Sequence, residues 1–257
     1  MLDSYGGQAI PLLIFLNGEG DEVDRILGFY PPDKYLPMVE DIFNGVGTYL
    51  SLKNKYKSGD KSSDTLNKLS DKCKTDRDPD MCEEIYKDII SGDINVEADA
   101  LIGAQLFFAK RDLDKGHTEL MLDLINNVQD NSLISDAYLA MISYYKSTDD
   151  TKSEAKLYKR FSDNMMSDPS ILNSYAWRMT ELGIYLEDAL AKSDLAINLS
   201  FDRPSFQSYI LDTKAEILWL LGRVDEAIKT INLAIDIDPK SDYFIEQRDK
   251  FQNISGE

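Results

Sequence analysis

The sequence predicts a mainly α protein: antiparallel helix pairs stacked as a solenoid, preceded by a β-hairpin and one helix. Three observations carry that prediction. Strand-like apolar runs are confined to the segment before Pro31. From Val46 onward apolar residues recur at helical spacing, and the short polar or Gly/Pro links between stretches favour antiparallel neighbours. Towards the C-terminus, small residues, a glycine and a proline return at the spacing of one helix pair.

Pro11-Leu-Leu-Ile-Phe-Leu16 is a continuous apolar run, the pattern of a strand buried on both faces. Asn17-Gly18-Glu19-Gly20-Asp21 is turn chemistry, because Asn and Gly tolerate positive φ. Val23 to Phe29 reads as the second strand of a hairpin. Pro31-Pro32-Asp33 stops it and starts a helix, with Asp33 as the expected N-cap. That helix is expected to end near Asn44 and to bury Tyr35, Leu36, Val39, Ile42 and Phe43. Further helices are expected at about 46–57, 62–74, 80–91, 96–110, 115–129, 133–147, 151–166, 170–182, 186–199, 205–221, 224–236 and 242–252.

Residues 208–239 contain the clearest repeat. Ala215 is a small residue in its first helix, Gly222 makes the turn, Ala227 and Ala234 are small residues in its second helix, and Pro239 closes it. Small residues recur there because a bulky side chain would push the paired helices apart. This segment closely resembles a tetratricopeptide repeat. Trp177, Gly183, Ala189 and Ala196 follow the same scheme one unit earlier, with 38 residues from Ala189 to Ala227. A degenerate unit at about 64–92 contains Leu66, Leu69, Cys73, Cys82 and Tyr86. The resemblance implies a protein-interaction scaffold that binds peptides along the concave face of its first helices. On that face it would present Ser174, Arg178, Glu181, Asp212, Glu216 and Trp219. Trp219 can equally be plain packing between repeats, and Arg178 an internal salt-bridge partner.

The order strand, turn, strand, helix at the N-terminal end resembles the C-terminal part of a thioredoxin domain. Tyr5-Gly6, Ile10-Pro11, Phe15, Asn17-Gly18, Gly28 and Tyr35-Leu36 carry the resemblance, while Leu12 departs from it where that family often has threonine. It implies that Pro11 is the proline that faces the redox site and that Ile10 presents backbone groups to a bound peptide. The two resemblances divide the chain into a partial thioredoxin-like module (1–44), a linker helix with a degenerate first repeat (45–95), two divergent helix pairs (96–167), two clearer repeats (168–240) and a capping helix (241–257).

Composition narrows the function classes. The 257 residues are 43% hydrophobic, enough for one or two cored domains. A net charge of −18 repels phosphate backbones and anionic lipid surfaces, so neither nucleic acid nor membrane is expected as a partner. The longest apolar run, Ile10 to Leu16, is far short of the roughly 20 residues that span a bilayer. The chain is expected to be soluble and cytoplasmic as it stands, exported only if an upstream segment carries a signal. Cys73 and Cys82 are spaced unlike zinc ligands and lie in no Cys-x-x-Cys; the repeat assignment makes them buried thiols or a disulfide pinning one helix pair. His117 is the single histidine, placed near a helix start, which leaves little support for His-based triads. No Walker loop, GxGxxG, GxSxG or HExxH motif occurs.

The expected function is therefore a scaffold with a protein or peptide partner, no cofactor, no metal and, as written, no enzymatic activity. The hairpin offers a route to self-association. The alternative is the C-terminal portion of a thioredoxin-family thiol-disulfide oxidoreductase whose catalytic half lies upstream.

Overall fold

The computed structural model describes residues 11–74, 77–128 and 133–253. They form two strands, β1 (Leu12–Leu16) and β2 (Glu22–Leu27), and thirteen helices. The first seven are α1 (Pro32–Phe43), α2 (Tyr49–Lys57), α3 (Ser63–Cys73), α4 (Pro79–Ile90), α5 (Ala98–Leu113), α6 (Glu119–Asn127) and α7 (Ile134–Ser147). The remainder are α8 (Thr151–Asn164), α9 (Pro169–Leu182), α10 (Leu186–Leu199), α11 (Pro204–Leu220), α12 (Val224–Ile237) and α13 (Asp242–Asn253).

Local chemistry explains most of the boundaries. Thr48, Ser62, Asp78, Asp150 and Asp168 cap α2, α3, α4, α8 and α9 by accepting a backbone N–H of the first turn. Prolines occupy the first turns of α1, α4, α9 and α11, where a missing N–H costs nothing. α2 starts later than expected because Gly45 and Gly47 adopt positive φ and Thr48 takes the cap. α6 starts at Glu119 instead of about 115, since Gly116 at φ +86 still belongs to the turn after α5.

The chain forms two compact units, Met1–Ala137 and Tyr138–Glu257. In the first, Tyr49, Leu52, Leu66, Leu69, Ile85 and Ile89 form the centre of an apolar core between α2, α3, α4 and α5. Cys73 and Cys82 are joined by a disulfide that ties the end of α3 to the first turn of α4, with Cα atoms 5.6 Å apart. The reading as free buried thiols is thereby replaced by the disulfide alternative. The bond closes the α3–α4 connection, whose Arg77 and Asp78 reach back to the hairpin and to α2.

β1 and β2 pair antiparallel, Leu12 opposite Leu27 and Ile14 opposite Arg25, with a register shift between Phe15 and Leu16. The hairpin is held by charge. Asp24 is almost fully buried on β2, and its Oδ1 accepts from Arg77 Nη1 at 2.9 Å while its Oδ2 accepts from Lys72. Arg77 also meets Glu22 at 3.2 Å and lies over the Tyr49 ring, 4.8 Å from its centroid. Burial alone would raise the Asp24 carboxyl; the Lys72 ammonium, the Arg25 backbone N–H and Arg77 outweigh it and hold it below the ordinary range. Asp78, in the left-handed region at φ 35, accepts from the Tyr49 hydroxyl at 2.8 Å and from Lys53 Nζ at 2.5 Å.

α1 departs from expectation. None of its residues is fully buried; Leu36 is 58% exposed and Phe43 83%. The amphipathic pattern made the helix, but it is tertiary packing that buries a face.

In the second unit Tyr138 stacks on Phe161, with ring centroids 4.8 Å apart, and the Tyr158 and Tyr175 rings meet at 5.8 Å. Around α9 to α12, Ala176, Ala189, Ala196, Ala215, Ala227 and Ala234 are all completely buried. These are positions where the backbones of neighbouring helices approach and only a methyl fits.

Candidate peptide-binding face

The repeat geometry fixes which residues of α9 and α11 are equivalent. Ala176 and Ala215 are the buried small residues of the two first helices, and Gly183 and Gly222 turn the chain at φ +66 and +75. Both pairs lie 39 positions apart, whereas Ala189 and Ala227 in the second helices lie 38 apart. Between its glycine and its second helix the earlier unit holds one extra residue, with Ile184 and Tyr185 between Gly183 and α10 but only Arg223 between Gly222 and α12, and Tyr185 takes a left-handed φ of 52 there.

That residue shifts the predicted face. Ser174, Arg178 and Glu181 lie 38 positions before Asp212, Glu216 and Trp219, one short of the 39 that separates Ala176 from Ala215, and the two sets do not form one open face. Ser174 bonds the Tyr158 hydroxyl on α8. Arg178 forks onto buried Glu154 of α8, Nε to Oε1 at 2.6 Å and Nη2 to Oε2 at 2.9 Å, and its Nη1 reaches Glu181 at 2.9 Å. Glu154 and Glu181 hold the guanidinium protonated well above its ordinary range. Arg178 is thus the internal salt-bridge partner that the sequence allowed.

The three residues of α11 lie under α13. Asp212 and Glu216 are buried, so neither lines an open groove. The Tyr243 hydroxyl donates to Asp212 Oδ2 at 3.0 Å, leaving Oδ1 without a partner among the described residues. Burial raises the Asp212 carboxyl to about 6; the Tyr243 hydroxyl opposes the shift and Glu216 adds to it. Lys250 Nζ donates to both Glu216 oxygens at 2.6 and 2.7 Å and sits 4.6 Å from the Trp219 ring centroid. Phe251 packs on the same indole at 5.8 Å. Trp219 is therefore inter-helix packing.

What stays open is the outer stripe of α9. Ser170, Ser174, Trp177 and Glu181 follow one another at helical spacing and are all exposed. Trp177, 38% exposed, donates its indole N–H to Glu181 Oε1 at 3.2 Å. Sequence reasoning used Trp177 only as a repeat marker; the Gly183-to-Gly222 spacing was the signal that would have placed it. Of the residues assigned to the N-terminal module, Ile10 lies outside the described residues. Pro11 is exposed just before β1, and its carbonyl accepts the Gly28 N–H at 3.0 Å.

A cleft of about 740 Å³ opens in the first unit between α4, α5 and α6, walled by Ile90, Phe108, Leu120 and Leu124. Among the described residues no cluster of His, Cys, Asp and Glu is arranged to hold a metal ion, and no helix is long and apolar enough to cross a membrane.

No family model matches the chain, and no curated relative matches it. Among solved structures it is similar to YrrB, described as a TPR (tetratricopeptide repeat) protein with an unusual peptide-binding site. The identity is 11% and the TM-score 0.54, over 77% of this chain and 97% of that one. It is also similar, at 14% identity and a TM-score of 0.31 over 85% of this chain and 93% of that one, to a thermophilic TPR protein of Thermus thermophilus. At 11% identity the first likeness speaks to the fold alone: the helices form a helical-repeat fold of tetratricopeptide type.

Proposed function

We propose that the protein is a protein-interaction scaffold and that the α9 stripe binds a peptide bearing a lysine or arginine. One observation carries this reading: Trp177 is a half-open indole braced by a carboxylate, on a helix whose neighbouring cation is already neutralised. A partner cation laid on the indole face gains a cation–π contact, and Glu181 lies beside it to receive the charge. The peptide-binding site described for the similar TPR structure supports a peptide as the partner. Selection from a random peptide library tests it. Enriched sequences should be basic, and Trp177→Ala should weaken them by about tenfold, roughly 1.4 kcal/mol, without lowering Tm. Peptides that bind equally to Trp177→Ala and to Glu181→Lys would sink the assignment.

We further infer that β1, β2 and α1 are a thioredoxin-like C-terminal portion without a dithiol. Their order and Pro11 directly ahead of β1 support this. Cys73 and Cys82 link α3 to α4 and supply no Cys-x-x-Cys. The intact mass and N-terminal sequence of the protein from its source test it: a mass above 29.2 kDa with an added strand–helix–strand segment would support the module, and an added segment of unrelated pattern would count against it.

A further inference from the structure

The hairpin has an open edge. Among the described residues the sheet contains only β1 and β2. The register decides which backbone groups face outward. The Gly28 N–H bonds the Pro11 carbonyl, so alternation makes Leu13/Ile26 and Phe15/Asp24 the next hydrogen-bonded pairs. The N–H and C=O groups of Leu12 and Ile14 therefore point away from β2. Natural edge strands are usually blunted by charge, proline or a covering element. β1 is Leu-Leu-Ile-Phe-Leu, with no charge and no internal proline, and Leu13 and Leu16 are exposed.

The surroundings indicate what would fit. Phe29, Leu36 and Phe43 leave apolar surface open on the module, and β2 is tied down through Asp24, so the edge is presented on a fixed frame. Glu22, Asp24 and Arg25 are used within the ionic cluster. The remaining exposed charges of the hairpin and α1 are Glu19, Asp21, Asp33, Glu40 and Asp41 against Lys34 alone. A second copy would bring the same acidic excess on a chain of net charge −18. The cleft between α4, α5 and α6 is less biased, with Lys87 against Asp112 and Asp123 on its lining. We infer that the open edge of β1 accepts an extended segment of another protein, apolar along one face and flanked by lysine or arginine, which adds as a third strand. Main-chain bonds to Leu12 and Ile14 supply the pairing, and the acidic surroundings select the flanks.

The inference is independent of the α9 reading, and one experiment separates the two. The full chain is titrated with an acetylated, amidated Lys-Val-Thr-Val-Thr-Val-Lys peptide while amide hydrogen exchange is followed residue by residue. Exchange at Leu12 and Ile14 should slow by at least about tenfold. The Glu-flanked counterpart should have no effect. Ile14→Pro deletes an outward N–H without removing a ladder bond and should abolish the protection, whereas Trp177→Ala should leave it intact. If Ile14→Pro does not fold, Leu12→Pro makes the same test. Unchanged exchange at Leu12 and Ile14, or equal protection by the acidic peptide, would overturn the inference. Protection of the same amides without peptide would overturn it, in favour of a second copy of this chain if sedimentation shows a dimer, and of a further strand of the proposed thioredoxin-like module if it shows a monomer.

Discussion

The α9–α12 helices and the hairpin are held in place by opposite means. The helices meet through completely buried alanines, so their association depends on what is absent from the side chains. The hairpin is fixed by a desolvated carboxylate between Lys72 and Arg77, so its placement depends on charges that must all be present. Apolar close packing fails gradually as volume is added. A buried ionic cluster fails at once when one partner is lost, because the other is left uncompensated.

The largest expected effect lies in the ionic region. Arg77→Ala leaves Asp24 buried with part of its compensation gone and should cost about 3–5 kcal/mol in urea unfolding. A cost below about 1 kcal/mol would show that charge does not hold the hairpin. Next comes the disulfide. Replacing both Cys73 and Cys82 by serine should cost about 2–3 kcal/mol, the loop-closure value for a short ring, and reduction of the parent protein should match it. On the packing side, Ala227→Trp overfills the α11–α12 contact and should cost about 1–3 kcal/mol or more; an unchanged melting temperature would break the repeat assignment.

The smallest effect concerns Asp212, a carboxylate of the repeats that is buried as in the hairpin but has no cation hydrogen-bonded to it among the described residues. Its folded-state carboxyl titrates near 6, against about 4 in an unfolded chain. The folded protein therefore holds the proton more tightly. The stability this brings is complete below pH 4 and is lost as pH rises to about 6. Asp212→Asn does not suffer that loss. Its stability relative to the parent should rise between pH 4 and pH 7, by on the order of 1 kcal/mol, read as a difference in Tm. A pH-independent difference would mean that the carboxyl is not perturbed, and the contrast with Asp24 would disappear.

The helices were legible because their signals are local. Thr48, Ser62, Asp150 and Asp168 announce a helix start one residue before it, and the apolar spacing continues from there. The alanine positions were legible for the same reason. What was not legible depends on residues far apart in sequence. Asp24 meets Lys72 and Arg77 at separations of 48 and 53 residues, and nothing around any of them marks the meeting. The exposure of α1 was misread because its apolar stripe is the same whether or not a neighbour covers it. For the cysteines, spacing allowed a bond and only geometry could make it. The packing of Asp212, Glu216 and Trp219 against α13 was hidden too, since a single extra residue ahead of α10 leaves the helix pattern intact and rotates the correspondence between α9 and α11.

That extra residue beside Tyr185 has a practical consequence for anyone who exchanges parts between the units. Copying α11 onto α9 by aligning their partner helices turns the graft by one residue, about 100° around the helix axis. It would set Asp212 and Glu216 where Ser174 and Arg178 stand, next to Glu154, and bring carboxylate against carboxylate in a dry interface. Aligning on the glycines instead sets Ala215 on Ala176 and Glu216 on Trp177. The turn acts as the index mark of the repeat, and shortening it would make α9 and α10 interchangeable with the next pair at a single spacing.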